Sequence, residues 1–276
     1  MNYKKLALAL SIVSAASLIK QNKKLKLSHF NLPFKNLPKN FHNFKIAHIS
    51  DIHSAKIGIS DLIFIKKLKN EHPDIIVITG DMLDSYKNDM DCVYNILSQI
   101  SEIAPTYFVS GNHELRLPDE YEKLKTILAK LGIVNLNNSN VFLTKENENI
   151  NLAGVEDYNF FKKSLDHRNS FNTKLNNLHS NDKFNILLSH RPEKIKNYVL
   201  TGFNLVLSGH AHGGQWQIPF IGGVFSPSQG FFPKYSKGIY KENNTTLVVS
   251  CGLGNSSFPL RINNQIELVI ITLKKF

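Results

Sequence analysis

Residues 207–215 read LSGHAHGGQ and place two imidazoles, His210 and His212, one residue apart between glycines, directly after an apolar run. In a strand such alternate side chains share a face, but Ser208-Gly209 favours a turn leaving the strand, from which both rings can address one point. Taken alone, the pair fits ordinary surface or core histidines somewhat better than it fits ligands. Four other places carry related chemistry: Asp51 with His53, Asp81 with Asp84, Asn112 with His113 and Glu114, and His190. Carboxylate oxygen, amide oxygen and neutral imidazole form a mixed donor set suited to Mn, Fe or Zn. Cys92 and Cys251 stand alone without a CxxC, so the expectation is two buried thiols rather than a closed thiolate zinc site or a disulfide framework.

What joins these residues is where they stand. The runs FKIAHIS (44–50), DIIVITG (74–80), TYFVSG (106–111), FNILLS (184–189) and FNLVLSG (203–209) each end in a small residue followed at once by Asp, Asn or His. Each motif alone has a bland reading, as a helix cap, a turn residue or a satisfied polar neighbour; five at equivalent strand ends do not. Between the runs, residues 60–70, 89–103 and 119–131 have helical character, with Ser60 or Asp61 as a cap for the first. Strands alternating with helices predict an α/β sheet covered by helices, with ligands at the C-terminal ends of its strands. Later strands without long helices, at 149–155, 245–251 and 266–273, suggest a second sheet or a meander. The expected fold class is therefore α/β, a four-layer αββα sandwich with two mixed sheets flanked by helices. Residues 27–44, with two prolines, read as an extended segment or edge strand leading in.

Of the 276 residues 42% are apolar, enough for a substantial core. The formal charge of +11 is concentrated at one end: residues 1–50 hold nine lysines and no acid, leaving 24 Lys+Arg against 22 Asp+Glu, or +2, on the rest. A basic surface for nucleic acid is not indicated. Residues 6–19, LALALSIVSAASLI, are uncharged and then followed by Lys20, Lys23, Lys24 and Lys26. They are short for a spanning helix and match a signal h-region in length, while the lysines after them favour retention on the cytoplasmic side. The expectation is an anchor or signal segment over 1–23 and a catalytic domain over 24–276, with membrane association favouring the cytoplasmic face and export left open. No obligate protein partner is expected.

In order along the chain, the groups S50-D51-I52-H53, G80-D81-M82-L83-D84, G111-N112-H113-E114, H190 and G209-H210-A211-H212 closely resemble the binuclear calcineurin-like metallophosphoesterases. The run HAHGGQ, IPFIGG after it, and the closing CGLGNSSFPLRINNQIELVIITL look like the membrane-linked bacterial phosphodiesterase branch, similar to UDP-2,3-diacylglucosamine pyrophosphatase-like members. The resemblance implies a metal-dependent phosphohydrolase acting through a bridging hydroxide on lipid-linked or nucleotide-sugar phosphates. It further implies two divalent ions, Mn first, with Fe and Zn as alternatives. Asp51, His53 and His212 would hold one metal, Asn112, His190 and His210 the other, and Asp81 would bridge. His113 would stabilise the transition state or protonate the leaving oxygen, oriented by Asp84, while Glu114 would stand outside the ligand set. Protein phosphatases of the family follow this Asp with Arg, but Asp84 is followed by Ser85, which disfavours that substrate class. The alternatives are a nuclease or cyclic-nucleotide phosphodiesterase, and a non-catalytic scaffold of the same fold. His48 reads as structural; Arg191 and Arg261 read equally as substrate contacts or surface residues, and Trp216 as pocket lining or packing.

Overall fold

Every residue of β3 (Ile75–Thr79) is buried, and the pleat divides them: Ile76 and Ile78 enter one apolar cluster, Ile75 and Val77 another. A strand covered on both faces needs a layer on each side, which is why this run is continuously β-branched rather than alternately polar. The computed structural model describes residues 24–54, 59–162, 166–254 and 260–276. The expected anchor over 1–23 lies outside them.

One sheet contains β1 (Leu25–Phe34), β2 (Lys45–Ile49), β3, β4 (Thr106–Val109), β5 (Val134–Asn135) and the last strand, β16 (Ile266–Lys275). Its order is β1-β16-β2-β3-β4-β5, with β2 to β5 mutually parallel and β16 antiparallel to β2. The second sheet contains β6 (Ser139–Lys145), β7 (Glu148–Gly154), β8 (Asn185–Leu188), β9 (Leu205–Ser208), β14 (Gly238–Glu242) and β15 (Thr245–Val249), in the order β14-β15-β9-β8-β7-β6. Its four central strands are parallel and the two edges antiparallel. Two small hairpins, β10 (Gln217–Ile218) with β11 (Gly222–Gly223) and β12 (Phe225–Ser226) with β13 (Gly230–Phe231), stand apart from both sheets.

Three apolar clusters make this a four-layer αββα sandwich. Between the sheets, Ile46, Val77 and Ile271 meet Leu152, Ile186 and Leu207. Helices Asp61–Asn70, Met90–Ser101 and Pro118–Lys130 cover the outer face of the first sheet through Phe64, Leu97 and Leu124. Helices His167–Leu178 and Ile195–Thr201 cover the second through Phe171, Leu175 and Tyr198. The Asp89 carboxylate caps the second of the first sheet's helices by accepting from Cys92 N at 3.0 Å. Of the late strands, β7 and β15 join the second sheet, whereas β16 inserts between β1 and β2 in the first. It can do so because Leu268 and Ile270 face the helices while Val269 and Ile271 face the other sheet. The extended segment read at the entry to the domain is β1, an edge strand parallel to β16 over ten residue pairs.

Candidate metal centre

The strands β2, β3 and β9 leave the sheets in left-handed backbone conformations: Asp51 (φ 52°), His53 (φ 59°), Asp81 (φ 53°), His210 (φ 65°) and His212 (φ 46°). Asp and His tolerate this region better than most residues, yet each such position costs about 1–3 kcal/mol and persists only where the surroundings impose it. Here the surroundings are other strand ends. Asp51 N donates to Gly80 O at 3.1 Å, His53 N to Asp81 O at 2.9 Å and Gly209 N to His190 O at 3.2 Å. Glycine lets these turns close on one another. A Cβ at Gly209 would lie on Ser50 Oγ and Asp51 Oδ2, and one at Gly111 on Asp81 Oδ1.

Two groups of buried ligand atoms result, Asp51/His53/His212 and Asp81/His190/His210, each with its atoms within 4.8 Å of one another. In the first, His53 Nε2 and His212 Nε2 lie 3.2 Å apart, and Asp51 Oδ1 is 3.5 Å from His212 Nε2. In the second, Asp81 Oδ2 lies 3.2 Å from His190 Nε2 and 4.0 Å from His53 Nε2, so this oxygen faces both groups. The buried Asn112 adjoins the second group: its Oδ1 accepts from Arg191 Nη2 at 3.4 Å, and Arg191 Nη1 lies 3.1 Å from His210 Nε2. A third group, His53/Asp84/His113, adjoins the first.

The donor set fits divalent cations. Asp81 Oδ2 and His190 Nε2 are buried 3.2 Å from each other with no further hydrogen-bond partner, an arrangement with room for a ligand to satisfy them. Burial, and then the charge of Asp81, pushes Asp51 up to about 6. Burial also drives His53 down to about 4, and His210 and His212 well below their usual value. Neutral imidazole is the state a metal ligand requires. His190 goes the other way: burial opposes its charge, but the adjacent Asp81 carboxylate overcomes this and raises it.

Glu114 stands outside the ligand groups and clamps their backbone. Its carboxylate accepts from Asp81 N at 3.1 Å, Leu83 N at 3.0 Å and Gly111 N at 2.7 Å; burial, and then the charge of Asp81, lifts it to about 7. His113 Nδ1 accepts from Ser85 N at 3.0 Å and sits 3.1 Å from Ser85 Oγ, while Asp84 Oδ1 is 3.9 Å away. With Nδ1 accepting, the neutral ring carries its hydrogen on Nε2. Ser85 is thus the nearer orienting partner. No signal in the sequence separates it from Asp84.

Arg191 and Arg261 are both buried rather than surface residues. Arg191 forks onto Asp157, with Nε to Oδ2 at 2.7 Å and Nη2 to Oδ1 at 3.1 Å. Arg261 Nη2 donates to Cys251 O at 2.8 Å and lies 3.4 Å from His212 Nδ1. His48, expected to be structural, bonds Thr79 Oγ1 through Nε2 at 2.8 Å. A cavity of about 310 Å³ opens over the centre, its wall including Asp81, Asn112, His113, Arg191, His210 and Ser228. Trp216 is not in this wall; its Nε1 donates to Leu260 O at 3.2 Å.

Residues 44–214 match the family model described as calcineurin-like phosphoesterase. The chain is 27% identical over 228 residues to "Uncharacterized metallophosphoesterase YkoQ" of Bacillus subtilis (strain 168), covering 81% of both proteins. It is 31% identical over 281 residues to "Transmembrane protein with metallophosphoesterase domain" of Danio rerio, covering 98% of this chain and 62% of that protein. Among solved structures, TT1561 of Thermus thermophilus superposes with a TM-score of 0.47 at 14% identity, covering 76% of this chain and 89% of that one.

Proposed function

The chain belongs to the calcineurin-like phosphoesterase family and is a metal-dependent phosphoester hydrolase, and from that premise we propose a two-metal phosphodiesterase or pyrophosphatase acting on lipid-linked or nucleotide-sugar phosphates, such as UDP-2,3-diacylglucosamine. In this reading Asp51, His53 and His212 hold one metal, Asn112, His190 and His210 the other, and Asp81 bridges. The observation that carries it is Asp81 Oδ2, buried 3.2 Å from His190 Nε2 and 4.0 Å from His53 Nε2 and so facing both ligand groups. The oxygen and imidazole donors favour Mn, with Fe or Zn as alternatives.

Bound cations would supply Lewis acidity for the phosphoryl group and make water nucleophilic at neutral pH. The chain's own residues do the rest. Asp81 Oδ1 accepts from His113 N at 2.9 Å and fixes the ring's backbone beside the cavity. Ser85 N then holds Nδ1, which leaves the Nε2 hydrogen to donate a hydrogen bond to the negative charge that develops on a phosphoryl or departing oxygen. Burial lowers the pKa of His113, which keeps the ring in that neutral form with its hydrogen on Nε2. Arg191, gripped by Asp157, faces the same cavity and would bind a phosphoryl oxygen.

Residues 1–23 are proposed to attach the protein to a membrane surface, with the cytoplasmic face favoured. Among the described residues no helix is long and apolar enough to cross a membrane. The test is to strip the purified protein of metal, refill it with Mn, and assay bis-p-nitrophenyl phosphate, nucleotide and lipid pyrophosphate panels. Mn-restored cleavage, with the lipid or nucleotide-sugar pyrophosphate preferred, is the expected result. Turnover indifferent to metal would overturn the two-metal reading; preference for cyclic nucleotides or nucleic acid would overturn the substrate class.

A further inference from the structure

Residues 216–232, WQIPFIGGVFSPSQGFF, contain no charged side chain, and Lys234 and Lys237 follow. They carry the two small hairpins that join neither sheet. Among the described residues fifteen large apolar side chains are exposed, and seven lie in these seventeen positions. Phe220 is fully exposed, Phe231 is 73% exposed, and Ile221, Phe232, Phe225 and Trp216 accompany them. A patch so concentrated is a contact surface rather than ordinary scatter.

Its position names the partner. The first hairpin is tied to the chain leading into β16: Gln217 N donates to Ile262 O at 2.9 Å, and Asn263 Nδ2 to Gln217 O at 3.3 Å. Ile266, four residues on, pairs with Leu25 at the start of β1, and four residues extend at most about 14 Å. The chain carrying the apolar segment 6–19 therefore enters the fold beside the hairpins. Basic groups are there too. Lys26, its side chain half exposed and its Nζ 3.8 Å from the buried Glu267 Oε1, shares a cavity wall with Lys237 and Asn263. Lys234 pairs with Glu242 at 2.8 Å. The second hairpin reaches the metal centre: Pro227 and Ser228, in its turn, line the cavity, and Ser228 Oγ lies 3.2 Å from His210 Nε2.

We propose that hairpins β10–β11 and β12–β13 insert into the interfacial region of an anionic phospholipid bilayer and set the cavity mouth at headgroup depth. The substrate class is then an amphiphile whose acyl part stays in the bilayer while its phosphoester enters the cavity. The inference rests on the hydrolase site described above, and its choice of a bilayer also on the proposed N-terminal attachment. Uncharged aromatic and aliphatic tips with Lys234 and Lys237 following them match such an interface, where apolar burial contributes most and attraction to anionic lipid adds to it.

The single tryptophan, Trp216, reports on it. Full-length protein is mixed with phosphatidylcholine–phosphatidylglycerol vesicles whose acyl chains are either plain or brominated. Blue-shifted Trp216 emission, quenched only by the brominated chains, is expected. The double variant F220S/F231S should lose most of that quenching while cleaving soluble bis-p-nitrophenyl phosphate at the unaltered rate, which shows that its fold and metal centre are intact. Wild-type protein that floats with the vesicles but shows the same emission in both would overturn the hairpin proposal and leave N-terminal attachment standing. Equal quenching in the double variant would also overturn it. Protein that neither floats nor is quenched would overturn both membrane readings, while the chromogenic assay reports separately on the hydrolase.

Discussion

Replacing His48 with Gln should make the protein less sensitive to acid. The imidazole lies fully buried in β2, three residues before Asp51, with Nε2 bonded to Thr79 Oγ1 at 2.8 Å, and burial lowers its pKa from 6.5 to about 3. Below pH 6.5 the unfolded chain takes up a proton that the folded chain refuses until about pH 3. The His48 contribution is thus fully present above the unfolded value and is lost as pH falls toward the folded one. Between pH 7 and pH 5 the linkage amounts to about 2 kcal/mol, at roughly 1.4 kcal/mol per unit once below 6.5. Gln keeps a nitrogen within reach of Thr79 and does not titrate. Any constant cost of the substitution cancels, because the observable is the change with pH. Urea denaturation of wild type and H48Q with chelator at pH 7, 6 and 5 measures it. The stability difference should move in favour of H48Q by about 2 kcal/mol over that range. A difference constant with pH would refute the assignment of a neutral, buried His48.

Asp81→Asn should abolish metal-dependent hydrolysis and lower metal content while the circular dichroism spectrum stays that of wild type, because an amide is a poor bridge between two cations; near-normal turnover would count against the bridging role. His113→Ala should retain two metals per chain by elemental analysis yet slow turnover about 10²–10³-fold, the range typical of losing one hydrogen-bond donor to the developing charge; loss of a metal would make it a ligand instead. Arg191→Ala leaves the buried Asp157 carboxylate without its fork and should cost about 3–5 kcal/mol in urea denaturation, most of it recovered by adding D157L. Gly209→Ala should remove metal binding, since its Cβ would displace Ser50 and Asp51; calorimetric Mn titration of the variant checks this.

The strand-end residues are legible in the sequence because their reasons are local. A β-branched run stops at Ser or Gly, and Asp51, Asp81, Asn112, His190 and His210 come next. Continuously apolar runs and the helices between them point to sheets with covered faces, and the sandwich has them. The placement of β16 between β1 and β2 is not legible, because a continuous apolar run shows that a strand has two buried faces but not which neighbours its backbone will pair with. The burial of Arg191 depends on Asp157, 34 residues away, and that of Arg261 on carbonyls of the loop after β15. Ser85 and Asp84 are adjacent, and only the packed position of His113 decides which of them meets Nδ1. The left-handed turns at Asp51, His53, Asp81, His210 and His212 are likewise imposed by contacts between distant strand ends. Types and spacing follow from forces within a few residues; distances, burial and proton positions follow from contacts closed across the sheets, which chain order does not specify.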